Sequence, residues 1–138
     1  MPDEKSAFID TNIWLYAFID DGTDKKDISQ ALIKSSQPVV SVQVINEVCI
    51  NLLKRAQFPE GEISGLIETF YQKYEVIEMQ KELLLTASRL RQSYALSYWD
   101  SLIVAAALFS GAPTLYSEDM QHNLLIEKSL RIVNPFNL

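Results

Sequence analysis

Asp10, Glu47, Asp100 and Asp119 are the residues of this chain whose type and placement could do chemistry. Asp10 ends the short apolar run A-F-I just before a helical pattern begins, and Asp119 takes the equivalent place after T-L-Y-S, with Glu118 beside it. Glu47 and Asp100 lie in, or at the start of, the two most apolar helical runs, where a carboxylate risks partial burial and needs a partner. If these acids converge, mutual repulsion raises their pKa values unless a cation sits between them. The natural cation is Mg2+ or Mn2+, because hard divalent ions take oxygen ligands. A zinc site would want His and Cys, and this chain has only His122 and Cys49, far apart. Acid clusters that hold such an ion catalyse phosphodiester hydrolysis: the metal lowers the pKa of a bound water, orients it and offsets charge on the phosphate.

Each acid also has a plainer reading. Asp10 is a favoured helix-capping residue, Ser97-x-x-Asp100 fits a variant of the capping box, and Glu47 could be a solvated charge at a helix edge beside Gln43 and Asn51. Cys49 reads as a buried free thiol, Trp14 and Trp99 as core or interface residues, and His122 as a surface helix position.

The elements that must position the acids follow from the hydropathy period. Ser6 to Ile9 read as a buried strand, and Ile13, Trp14, Ala17 and Phe18 recur at helical spacing with Thr11 or Asn12 as the N-cap. After the polar turn Asp20-Asp21-Gly22 comes a surface helix, Asp24 to Ser35; Val39 and Val40 then make a second strand. Ser41 caps a helix striped by Val44, Ile45, Val48, Cys49, Leu52 and Leu53. Further helices run from Ile63 to Tyr74, from Leu83 to Tyr94, and from Ser97 to the stop at Gly111 and Pro113, with a strand at Val76 and Ile77 among them. Thr114 to Ser117 read as a fourth strand, Leu124 to Glu127 as a short helix, and Arg131 to Val133 as a last strand. Strands alternating with helices indicate a mainly parallel, about five-stranded sheet covered on both faces, whose carboxyl edge is where open α/β folds bind ligands. Asp10 and Asp119 belong at that edge.

A length of 138 residues at 48% hydrophobic content suits one domain over residues 1–138. The longest apolar stretch, Leu102 to Phe109, is too short to enter a membrane, and the charged start M-P-D-E-K precedes no leader-like run, so a soluble cytoplasmic protein is expected. Twelve Lys and Arg against 18 Asp and Glu give a net charge of -6, the wrong sign for gripping nucleic acid through many phosphate contacts. Any nucleic-acid role then rests on a small site with bound cations.

Taken together, F-I-D-T-N-I-W-L-Y, V-I-N-E-V, Y-W-D-S-L-I-V-A-A-A and L-Y-S-E-D-M-Q-H, with I-V-N-P near the end, resemble the PIN-domain family of nucleases, most closely the bacterial VapC-type toxins. The likeness covers nearly the whole chain. It implies a three-layer α/β/α sandwich around a parallel sheet and a Mg2+-dependent (or Mn2+-dependent) endoribonuclease acting on RNA. Asp10, Glu47, Asp100 and Asp119 match the family's acidic positions, Thr11 or Asn12 together with Ser117 its polar supporting positions, and Glu118 a fifth, variable acid. It further implies a homodimer and a small antitoxin whose basic C-terminal tail lies across the active-site groove. Two alternatives share the fold class: a non-catalytic binding module, and a haloacid-dehalogenase-type phosphatase. The phosphatase needs a second acid two residues after the first, where this chain has Asn12.

Overall fold

The computed structural model describes residues 5–138, so most of the charged start that reads as lacking a leader, Met1 to Glu4, lies outside the described residues. In chain order the elements are β1 (Ser6–Ile9), α1 (Thr11–Phe18), α2 (Lys25–Ser35), β2 (Gln37–Ser41), α3 (Val42–Arg55), α4 (Glu60–Lys73) and β3 (Glu75–Ile77). They continue with α5 (Lys81–Ser93), α6 (Tyr98–Ser110), β4 (Thr114–Tyr116), β5 (Leu125–Ile126) and β6 (Leu130–Val133), and end in a 3-10 turn at Pro135–Asn137.

Among the described residues the sheet has six strands in the order β3-β2-β1-β4-β6-β5, parallel except for β5, which runs antiparallel to β6. Ala7, Phe8 and Ile9 are buried, as a central parallel strand with helices over both faces requires. The chain leaves β1 for β2 on one side and returns to β4 on the other. The gap between β1 and β4 is therefore the topological switch point, where neighbouring connections diverge and leave a crevice.

Helix α6 is buried from Ser101 through Ala107, because it packs on α5 and also against β2, β3 and β4. Its small Ala105, Ala106 and Ala107 suit a helix enclosed on several sides. Gly111 ends it with φ +75, a left-handed conformation that glycine adopts without a Cβ penalty, and donates its N–H to Leu108 O at 3.1 Å. On α1, Trp14 is buried edge-on to Phe70 at 5.0 Å between ring centroids, with its indole N–H on Ile9 O at 3.1 Å, so Trp14 is a core residue with its polar end satisfied. Cys49 is buried, and burial pushes its thiol up.

Three expectations need correction. The N-cap of α1 is Asp10, one residue earlier than Thr11 or Asn12. Among the described residues the sheet has six strands, not about five. The extra strand is β5, which replaces the short helix expected over Leu124 to Glu127. Chain reversal here uses Glu127 at φ 50 and Lys128 at φ 61, with Ser129 N–H donating to Ile126 O at 3.0 Å, a turn normally signalled by Asn or Gly. Helix α5 and its C-cap hold this reversal: Tyr94 Oη accepts from Glu127 N–H at 2.9 Å, and Arg89 pairs with the Glu127 carboxylate. Among the described residues no helix is long and apolar enough to cross a membrane.

Candidate functional site at the carboxyl edge of the sheet

Strand register brings the first two residues together. Phe8 pairs with Leu115 and Ile9 with Tyr116, so the next step along both strands sets Asp10 beside Ser117. Asp10 N–H donates to Tyr116 O at 3.0 Å, and the Ser117 hydroxyl donates to Asp10 Oδ2 at 2.8 Å. The other carboxylate oxygen, Oδ1, accepts from Thr11 N–H at 2.7 Å. Asp10 thus caps α1 and also presents a carboxylate at the switch point; the capping and chemical readings of this residue are compatible.

Burial raises the Asp10 carboxyl to about 6, against the hydrogen bonds from Ser117 and Thr11 that favour its charged form; the like charges of Asp100 and Glu47 push it further up. Asp100 is raised in the same way, by burial first and then by Asp119 and Glu47, while its hydrogen bond with Ser97 pulls it down. Two further acids, Glu47 and Asp119, therefore influence the pair electrostatically.

Glu47 reaches this place because the apolar stripe of α3 is buried: Val44, Ile45, Val48 and Leu52 face the core and leave Glu47 half-buried on the flank toward α1. There its Oε1 accepts from the Thr11 hydroxyl at 2.6 Å. Glu47 is therefore not simply a solvated edge charge. Asp119, just past β4, accepts at Oδ2 from the Asn12 amide at 2.5 Å. Asp100 stands in the first turn of α6, where Ser97 Oγ accepts its N–H at 3.1 Å, so the capping half of the Ser97-x-x-Asp100 motif also forms.

One polar pocket of about 270 Å³ is lined by Asp10, Glu47, Asp100 and Asp119, with Thr11 and Asn12 between them. Three further liners bear on the chemistry. Gln43 reaches Glu47 Oε2 at 3.3 Å and the Trp99 carbonyl at 3.4 Å; Asn51 donates to the Glu47 carbonyl at 2.8 Å; and Trp99 is 63% exposed. Trp99 is thus no core residue. Its signal in the sequence was adjacency to Asp100 at a helix start.

Glu118 lies outside this pocket's lining. Its carboxylate accepts from Tyr16 Oη at 2.6 Å and pairs with Lys25 Nζ at 2.6 Å, tying the turn after β4 to α1 and α2. His122 is not on a helix: it sits in the loop before β5, and its Nδ1 accepts from Asn134 N–H at 2.9 Å.

The donor set of the pocket is all oxygen, which fits a hard divalent cation and not zinc. Among the described residues no three Asp, Glu, His or Cys side chains close on one point as a ready cage. Glu47 and Asp119 instead direct an oxygen to Thr11 and Asn12, as like charges do when neutral donors are at hand. Mg2+ commonly keeps several waters and binds through one or two carboxylates, so a complete cage is not required for the fit.

A mainly parallel sheet flanked by helices, with its acids gathered at the switch point, is the architecture of PIN domains. The chain belongs to the PIN domain family, which residues 7–125 match. No curated protein matches the sequence. Among solved structures it is similar to a chain of a toxin–antitoxin complex from Klebsiella pneumoniae, at 20% identity and a TM-score of 0.69 over 94% of this chain and 97% of that one. It is similar also to the Mycobacterium tuberculosis toxin VapC20, described as cleaving the sarcin–ricin loop, at 18% identity and a TM-score of 0.66 over 82% of this chain and 89% of that one. A third is a chain of VapBC2 from Rickettsia felis bound to a fragment of promoter DNA, at 18% identity and a TM-score of 0.63 over 94% of this chain and 99% of that one. At these identities the likeness concerns the fold.

Proposed function

We propose that this PIN domain is a metal-dependent endoribonuclease, the toxin of a toxin–antitoxin pair, acting on RNA in the cytoplasm as a homodimer. The observation that carries the reading is the pocket itself: four carboxylates, delivered by β1, α3, α6 and the turn after β4, line one crevice at the carboxyl edge of the sheet. A bound Mg2+ or Mn2+ supplies a water of lowered pKa and offsets phosphate charge.

The chain's own residues prepare the site for it. Asp10, Asp100, Asp119 and Glu47 are the oxygen donors that would hold the ion. Ser117 and the Thr11 N–H fix the Asp10 carboxylate by occupying one lone pair on each oxygen, leaving each oxygen a further lone pair for a cation. Thr11 and Asn12 hold Glu47 and Asp119 at the rim in the same manner. Glu118, committed to Tyr16 and Lys25, supports the turn that carries Asp119.

The fold neighbours include toxins solved with their antitoxins, which supports a small antitoxin partner here. A chain of net charge -6 that gathers carboxylates in one groove attracts a basic segment when no cation is bound. Arg suits this groove, since guanidinium makes bidentate, charge-assisted bonds to carboxylates and competes with a cation for the same oxygens. The test is cleavage of single-stranded RNA by the purified chain with Mg2+ or Mn2+, abolished by a chelator and restored by returning the ion. Cleavage indifferent to the chelator would reject the metal-dependent mechanism, and RNA binding without cleavage would point to a binding module.

A further inference from the structure

Trp99 and Tyr98 are exposed by 63% and 53% at the first turn of a helix that is otherwise buried from Ser101 to Ala107. Neither ring is needed to pack α6, which its alanine-rich face and Ser97 cap already secure. Trp99 nevertheless holds a defined place. Its carbonyl accepts from Gln43, which also reaches Glu47, and its ring meets the Tyr98 ring edge-on at 5.3 Å and 80°. The Arg91 guanidinium lies over the Tyr98 ring at 4.5 Å and donates to Ser101 Oγ at 2.7 Å, so a cation backs the aromatic pair. The result is an ordered aromatic ledge on the wall of the acidic pocket, one residue from Asp100.

We propose that Trp99 is the residue on which an unpaired RNA base stacks next to the phosphate being cleaved, giving this acidic enzyme its hold on substrate; the inference rests on the ribonuclease reading above. Charge selects this occupant. With a net charge of -6 the chain gains little from counterion release, the usual source of nucleic-acid affinity. Stacking on an aromatic face needs no basic side chain and accepts any base. A base inside a duplex already has both faces covered by its neighbours, so the ledge selects unpaired RNA over paired RNA.

The test compares wild type, Trp99→Ala and Trp99→Phe as full chains with Mg2+, on a short unstructured oligoribonucleotide and on the same strand annealed to its complement. Thermal melting confirms that each variant folds, which the exposure of Trp99 leads us to expect. For Trp99→Ala we expect KM on the single strand to rise about 5- to 150-fold at unchanged kcat, the equivalent of losing one stacked base. Trp99→Phe recovers part of the loss, the ratio of variant to wild-type KM is the same at low and high salt, and wild type cuts the single strand in preference to the duplex. RNA quenches the indole emission of wild type but not of Trp99→Phe, since Trp14 is buried. If wild type cleaves RNA and Trp99→Ala does so with the same KM, the ledge is overturned while the ribonuclease reading stands. If wild type neither cleaves nor binds RNA, that reading fails and takes the ledge with it. If Trp99→Ala sediments at half the mass of wild type, the ledge is a contact between copies and the base-stacking role is rejected.

Discussion

Asp10→Asn should make the metal-free protein more stable near neutral pH, although it removes the best-anchored acid of the site. The folded-state carboxyl titrates at about 6 instead of the usual 3.8, so the folded protein binds the proton more tightly than the unfolded chain does. Between those values the native state carries more protons, and stability falls as pH rises through about 6. Above that pH the cost is complete, roughly 3 kcal/mol for a displacement of about two pH units. Asn resembles the protonated acid in size: its oxygen can accept from Thr11 N–H, while its amide can donate to the Ser117 hydroxyl. The expected gain at about pH 7 is about 1–3 kcal/mol, or a rise in Tm of roughly 3–10 °C for a domain of this size. The assay is thermal or urea unfolding of both proteins in chelator. Repeating it near pH 5, where most Asp10 in the folded wild type is already protonated and neutral, should shrink the gain by about 1 kcal/mol. Comparing the two proteins at each pH cancels the titration of every group they share. An Asp10→Asn protein less stable than wild type at neutral pH, with a deficit that does not depend on pH, would refute the argument from burial and like charge.

Other outcomes follow from the same geometry. Mg2+ or Mn2+ at about 100 times its Kd should stabilise wild type by about 2.7 kcal/mol, and Asp10→Asn or Asp100→Asn should abolish that gain; equal shifts in all three proteins would place the ion elsewhere. Ser117→Ala removes a buried hydrogen bond to a carboxylate, so we expect a loss of about 1.5–3 kcal/mol and an Asp10 pKa further above its present value, read by NMR titration of the side-chain carboxyl. An unchanged pKa would show that the serine does not favour the charged form. Copurification with the operon neighbour should give an inhibited complex, relieved by deleting the neighbour's C-terminal tail; inhibition that survives the deletion, or a neighbour that does not bind, rejects the groove-blocking mechanism.

Much of this architecture was legible because the strand and helix periods alternate cleanly. Phe8 and Ile9 could only be a short buried strand, Asp10 ended it, and the stripe on α3 left Glu47 on the flank that the fold turns toward the pocket. The β5–β6 hairpin was not legible. Leu124 to Glu127 carries no Gly, and its reversal depends on left-handed Glu127 and Lys128 stabilised by Tyr94 and Arg89 from a helix and its C-cap about 35 residues earlier, a tertiary effect that local propensity cannot register. The division between Asp119 and Glu118 came from the family resemblance, not from the residues themselves. Adjacent acids look alike in sequence, and only the positions of Tyr16 and Lys25 show that Glu118 is already engaged. For Trp99 the core half of the expectation fails, because indole area argues for burial whereas the helix that carries it fills its buried face from Ser101 to Ala107.

The most direct measurement is the single-turnover rate of RNA cleavage in saturating Mg2+ for wild type, Asp10→Asn and Glu118→Gln. The account predicts cleavage by wild type, a loss on the order of 100-fold or more in Asp10→Asn, and a rate close to wild type in Glu118→Gln, since Glu118 serves Tyr16 and Lys25. Cleavage by Asp10→Asn at the wild-type rate would contradict it.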